Sequence, residues 1–229
     1  MEEARRRTLY GRRRGKKLRG HQQSLLDTLL PRLTVPLPAQ GATIDLTRLF
    51  GGRLPQGGVW LEIGFGSGEH LVWQAEQHPD VGLIGCEPYL NGVAKCLAHI
   101  ERVQAGNIRL FTDDARRLMA ALPPHALGRV FVLFPDPWPK ARHHKRRFVQ
   151  RETLDRLAEL MLPGAELRLA TDDPSYLPWM VEHACRHPDF EWLAQRAQDW
   201  RTRPADWPAT RYEQKGIAGR PVFLRLRRR

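Results

Sequence analysis

The sequence predicts an α/β fold: a doubly wound, mostly parallel sheet with flanking helices and a basic N-terminal arm. Three observations carry that expectation. From Val59 onward, short apolar runs of strand length alternate with longer stretches of helical periodicity, the pattern of βαβ units. A tight glycine turn, Gly64-Phe65-Gly66-Ser67-Gly68, directly follows the first run. Acidic residues stand at or just past the ends of successive runs, where open α/β sheets present their ligand sites.

Residues 1–22 read as a flexible basic arm, rich in Arg and Gly and poor in apolar periodicity. Residues 23–58 form a helical and connector segment. Its helical stretch, Gln22–Leu30, is expected to end at Pro31, and Pro and Gly punctuate the rest. The remaining domain spans 59–229. Its expected strands are Val59–Ile63, Gly82–Cys86, Ile108–Phe111, Val130–Phe134 and Leu167–Ala170. Helices are expected over Glu69–Gln77, Leu90–Gln104, Ala115–Leu122 and Phe148–Leu162; in the last, Leu154, Leu157, Leu160 and Met161 fall at helical spacing.

At 229 residues the chain suffices for one sizeable α/β domain. No apolar run approaches the ~18 residues of a membrane span, so no membrane partner is expected. Cys86, Cys96 and Cys185 are widely spaced and odd in number. That argues against a disulfide framework and a zinc site, and suits buried thiols in a reducing cytoplasm. The net charge of +12 is concentrated: nine basic residues face Glu2 and Glu3 within 1–20, with further clusters at Lys140–Arg147 and Arg225–Arg229. Such clustering suits a polyanion.

The glycine turn has G-x-G-x-G spacing, with Glu69 where a dinucleotide fingerprint would place its third glycine. Without a pyrophosphate to cradle, Gly64, Gly66 and Gly68 beside the Glu62 carboxylate suit a ligand with a cationic amino-acid end. S-adenosylmethionine is such a ligand. Glu87, ending the second strand, can accept from both ribose hydroxyls. Asp114, or alternatively Asp113, can accept from the adenine amine after the third strand.

At the fourth strand the sequence reads Leu133-Phe134-Pro135-Asp136-Pro137-Trp138-Pro139-Lys140-Ala141-Arg142-His143-His144-Lys145-Arg146-Arg147. With Ala170-Thr171-Asp172 and Thr210-Arg211-Tyr212-Glu213-Gln214-Lys215-Gly216, this closely resembles the bacterial tRNA (guanine-N7)-methyltransferases, from about Val59 to the end. The resemblance implies a Rossmann-like class I methyltransferase sheet, S-adenosylmethionine as methyl donor and a guanine of the tRNA variable loop as acceptor. It implies that Glu62, Glu87, Asp114 and Asp136 contact the donor, and that Asp136 is catalytic. It further implies that Lys140, Asp172, Thr210, Arg211, Tyr212 and Glu213 contact substrate, and that Arg142, Lys145, Arg146 and Arg147 meet RNA. The pattern departs at Glu69-His70, where smaller residues are common in relatives; the expected effect is local, at the donor's methionine end.

Guanine N7 has an exposed lone pair and no proton, so its methylation needs alignment and nearby carboxylates rather than a base. Pro135 and Pro137 restrict the backbone around Asp136. Asp172 and Glu213 can accept from guanine N1–H and N2–H₂, with Thr210 nearby; Tyr212 suits stacking and packing equally. Trp138 suits either stacking on a base or plugging the core, the core being the expectation, and His143 and His144 are expected to extend the basic surface. No cysteine stands in the run directly after the fourth strand, against covalent cytosine C5 chemistry. The alternatives are a non-catalytic RNA-binding protein on the same fold, or a methyltransferase for small molecules or another RNA position. Monomer and homodimer are equally open.

Overall fold

The computed structural model describes residues 11–209, 213 and 219–229. The chain first forms α1 (Gly20–Thr28), α2 (Leu30–Leu33) and α3 (Leu46–Leu49). Pro31 lies in the first turn of α2, where its missing N–H costs no helical bond. It therefore opens a second helix instead of only closing the first.

Five strand–helix units follow: β1 (Val59–Ile63), α4 (Glu69–Gln77), β2 (Gly82–Cys86), α5 (Leu90–Val103), β3 (Ile108–Phe111), α6 (Ala115–Ala121), β4 (Leu127–Leu133), α7 (Arg151–Leu160) and β5 (Met161–Thr171), the last followed by α8 (Tyr176–Met180). A 3-10 turn over Ala141–Arg146 stands between β4 and α7. The chain closes with β6 (Phe190–Trp192), α9 (Gln198–Arg201) and β7 (Val222–Arg228).

The sheet has seven strands in the order β3-β2-β1-β4-β5-β7-β6. Strands β1 to β5 are parallel, and β7 runs antiparallel between β5 and β6. Every residue of β1 and β2 is buried, as expected for parallel strands covered on both faces. One apolar layer joins α4, α5 and α1 through Leu71, Leu97 and Leu25. The other joins α6, α7 and α8 through Leu118, Leu157 and Met180. The sheet is thus wound on both sides.

Several boundaries differ from the sequence expectation for identifiable reasons. Phe134 leaves β4 because its φ is +50°. Helix α7 starts at Arg151, because Thr153 Oγ1 accepts from Gln150 N–H and donates to the Phe148 carbonyl, closing the helix start. Strands β6 and β7 were not anticipated. In β7, buried Phe223, Leu224 and Leu226 alternate with exposed Arg225 and Arg227, so its outer face reads as a basic tail. Those arginines are engaged, Arg225 with Glu166 at 2.5 Å and Arg227 with Glu191 at 3.7 Å.

The described part of the N-terminal arm is docked, and α1 begins within it. Leu90 N–H donates to the Arg13 carbonyl at 3.0 Å. Gly15 N–H donates to Asn91 Oδ1 at 2.6 Å, and Asn91 Nδ2 donates to the Lys16 carbonyl at 2.7 Å. The arm thus crosses the start of α5.

Candidate active site

The strand order reverses between β1 and β4, and ligand sites of wound sheets form at that point, beyond the carboxyl ends of the strands. A cavity of about 540 Å³ lies there. Glu62, Gly64, Gly66, Glu87, Asp114 and Asp136 all line it. Four carboxylates from four strand ends therefore share one space.

Each is aimed by its element. Glu62 lies within β1, 3% exposed, and its Oε2 meets His70 Nδ1 at 2.7 Å. Glu87 follows β2; its two oxygens accept from Gly66 N–H at 2.8 Å and Tyr89 N–H at 2.9 Å. Burial pushes the Glu87 carboxyl above its usual range, the two N–H bonds pull it back, and Asp136 and Glu62 push it up again. Asp114 caps α6 by accepting from Arg116 N–H at 2.9 Å. Asp113 turns away to Arg13 and Arg117, and does not line the cavity.

Asp136 is reachable by solvent at the mouth, yet the surrounding walls strip enough water to raise its carboxyl above the ordinary value. Its segment bends sharply on both sides: Phe134 and Trp138 hold φ of +50° and +46°. Side chains rarely adopt that region, and such strain gathers at working sites.

Gly68 is an exception to the expected cofactor contacts. It is buried and does not line the cavity. A Cβ there would stand 2.3 Å from Cys96 Sγ, and φ is +78°. It is a glycine so that α4 can pack on α5.

The basic segment divides. Lys140, Arg142 and Lys145 are exposed, on the segment between the cavity-lining Trp138 and Arg146. Arg146 lies over the Trp138 ring at 4.9 Å and lines the cavity. Arg147, expected to meet RNA, is 1% exposed. It donates to the Pro137 carbonyl at 2.7 Å and Ser175 Oγ at 3.1 Å, and packs on Tyr176 and Trp179. A buried cation cannot reach a phosphate; this one clamps the Asp136 loop from behind.

A family model described as a putative methyltransferase matches residues 56–224. The tRNA (guanine-N(7)-)-methyltransferase of Paramagnetospirillum magneticum is 54% identical over 222 residues, covering 96% of this chain and 92% of that protein. This chain belongs to the tRNA (guanine-N7)-methyltransferase family. The tRNA (guanine-N(7)-)-methyltransferase of Rhodospirillum rubrum is 53% identical, covering 96% of this chain and 87% of that protein. Among solved structures, TrmN from Thermus thermophilus aligns with a TM-score of 0.53 at 18% identity, over 80% of this chain and 47% of that one, which shows the shared fold.

Of the substrate residues that resemblance to the tRNA (guanine-N7)-methyltransferases implied, Thr210, Arg211 and Tyr212 lie outside the described residues. Asp172 is 7% exposed at the end of β5, and its carbonyl is approached so closely by Gly219 that a Cβ there would sit 2.7 Å away. It does not line the cavity. Glu213 Oε1 lies 3.7 Å from Arg203 Nε.

Trp138 is a correction. It is half-buried on the cavity wall between Arg146 and the His143 ring, not in the core. Sequence reasoning also missed Phe65, Tyr89, Arg116, Phe134 and Phe148 on the wall. Nearness to the glycine turn or a strand end signals Phe65, Tyr89, Arg116 and Phe134, whereas Phe148 carries no such signal; the aromatic residues pattern like core.

Proposed function

We infer that this chain transfers the methyl group of S-adenosylmethionine to N7 of a guanine in tRNA, with the variable loop as target. The observation that carries the reading is the convergence of Glu62, Glu87, Asp114 and Asp136 on one cavity. Exposed cations lie on the segment between two of its lining residues, Trp138 and Arg146, in a chain about half identical, over nearly its whole length, to tRNA (guanine-N(7)-)-methyltransferases.

The cavity fits the donor on its own terms. Its size lies within the ~300–1,000 Å³ usual for small ligands. Added Cβ atoms at Gly64 and Gly66 would meet nothing within 4 Å, so the glycine turn opens onto free space. Among the described residues only Oε2 of Glu62 has a hydrogen-bond partner, so its Oε1 suits a cationic amino group; Glu87 suits a ribose diol and Asp114 an adenine amine. Leu133 and Phe148 supply apolar wall.

When bound, S-adenosylmethionine supplies an electrophilic methyl carbon on a sulfonium. The chain has no nucleophile to make, because guanine N7 already offers its lone pair. Its task is to align the base, worth up to ~7–11 kcal/mol in favourable cases, and to hold Asp136 near the positive charge that the ring acquires. Lys140, Arg142 and Lys145 would hold phosphates while the base enters. Asp172 and the Thr210–Glu213 run would read the guanine edge. Among the described residues no helix is long and apolar enough to cross a membrane, and free cysteines with a tRNA substrate support a cytoplasmic location.

The deciding experiment incubates purified protein with methyl-labelled donor and unmodified tRNA, then digests the product to nucleosides. Label in 7-methylguanosine is the expected result. Label in any other nucleoside would overturn the position, and none at all would overturn the enzyme.

A further inference from the structure

His70 sits at the cavity wall, and the transfer chemistry above gives it no task. It is 2% exposed. Its Nδ1 meets Glu62 Oε2 at 2.7 Å, and its Nε2 meets Gln74 Nε2 at 3.1 Å. An amide nitrogen offers only hydrogens, so His70 Nε2 accepts and Nδ1 carries the proton that goes to Glu62. The same amide nitrogen donates to the Asp206 carbonyl at 3.0 Å. Turning the amide over would set its oxygen against that carbonyl, so the network fixes both the amide and the tautomer. Gln74 Oε1 is left buried without a hydrogen-bond partner among the described residues. Two good bonds on one end are kept at the expense of an orphan on the other, which is uncommon in buried amides.

The contacts continue beyond Gln74. The Asp206 carboxylate accepts from Arg168 Nη2 at 2.7 Å. Trp207, 2% exposed, places its ring 5.8 Å from His70 and 5.2 Å from Phe223. Asp206 and Trp207 lie just ahead of Thr210, where the run read above as guanine-contacting begins.

We propose that His70 is a positioning residue: it fixes the Glu62 carboxylate for the donor and, through Gln74, ties that carboxylate to the stretch leading into the guanine-reading run. The proposal rests on the methyl-transfer reading. Without the Nδ1 proton, Glu62 would be a buried carboxylate with a free rotamer and a lost partner. Without the Nε2 link, the 203–209 stretch would lose its hydrogen-bonded tie to the donor side of the cavity and keep only the Trp207 ring contact.

Two shorter side chains separate the bonds. His70→Asn places an amide nitrogen near Nδ1, keeping the bond to Glu62 and dropping the one to Gln74. His70→Gln does the reverse, and Gln74→Met cuts the link from its other end without touching His70. The probe is S-adenosylhomocysteine, titrated calorimetrically without RNA; tRNA kinetics are measured separately. His70→Gln should weaken the probe about tenfold, the scale of one lost bond to a charged group. His70→Asn and Gln74→Met should leave it within about twofold and raise KM for tRNA about fivefold, the scale of a neutral bond, with little change in kcat. Equal effects of His70→Asn and His70→Gln on the probe, or none from either, would refute the role. So would a Gln74→Met protein that loses probe affinity but keeps its KM for tRNA. If thermal unfolding shows that His70→Gln does not fold, the other two variants decide by the same split. A parent protein that fails to bind the probe would instead refute the methyl-transfer reading itself.

Discussion

Asp136 and Arg147 lie eleven residues apart on one basic, proline-rich stretch, yet their surroundings assign them opposite work. Asp136 is exposed and lines the cavity, so Asp136→Ala should lower single-turnover methyl transfer by about 100-fold or more with the melting temperature unchanged. A variant that stays active would remove Asp136 from catalysis. Arg147 is buried behind the loop. Arg147→Ala should cost about 2–4 kcal/mol of stability, from its charged hydrogen bonds and ring contacts, measured by urea unfolding. Arg142→Ala should leave stability alone and reduce the salt slope of tRNA binding by about 1. If Arg147→Ala altered the slope and not the stability, its buried assignment would be wrong. The same scale sets a pH dependence. Burial holds Glu87 and Asp136 above ordinary carboxylate values, so on acidification they protonate earlier than free carboxylates. Donor affinity should therefore begin to fall at a pH above the usual carboxylate range, and calorimetric titration across pH would show a flat profile there if the charges do not matter.

Elements set where those residues can act. The glycine turn joins β1 to α4, and Gly68, just ahead of α4, is a point of close approach to Cys96 of α5. Gly68→Ala demands a left-handed alanine against Cys96, so the expected cost is about 1–3 kcal/mol, read as a lower melting temperature. An unchanged melting temperature would mean that the two helices can part. The N-terminal arm behaves as an element too. Its described residues grip the start of α5, and Arg13 pairs with Asp113 at 2.5 Å, one residue from cavity-lining Asp114. Deleting residues 1–20 should weaken tRNA binding and flatten its salt dependence; an unaltered slope would show that the arm makes no phosphate contact.

The molecule as a whole is tied across β4, β5, β7 and the 203–209 stretch by one charged cluster. Arg168, 1% exposed, donates to Glu166 at 2.8 Å and Asp206 at 2.7 Å. Arg129 and Arg225 approach the same acids. Burial opposes ionisation of Glu166 and Asp206, but the Arg168 charge and hydrogen bonds outweigh it and hold both below their usual values. Acids with a lowered folded pKa stabilise fully above the ordinary carboxylate range, and that stability is lost as pH falls through their folded values. Urea unfolding at neutral and strongly acid pH should therefore show a smaller acid loss in Glu166→Gln than in the parent. Equal losses would mean that the cluster adds nothing to acid sensitivity.

The amino-acid sequence alone determined the wound sheet, the glycine turn and the strand ends from which acids can reach the cavity. Local periodicity and spacing encode these, because a strand end carries its neighbours wherever it goes. It also identified the Asp136 stretch through a long specific run. Tertiary packing alone decided which members of a pattern face which way. Of five clustered cations, Arg147 turns inward and Arg142 outward; of two adjacent aspartates, only Asp114 faces the cavity. The β7 arginines looked like an RNA-seeking tail and are partnered by acids remote in sequence. Trp138 looked like core and lines a wall. A side chain's partners are set by which distant segments close over it, and charge or hydrophobicity read along the chain holds no record of that closure.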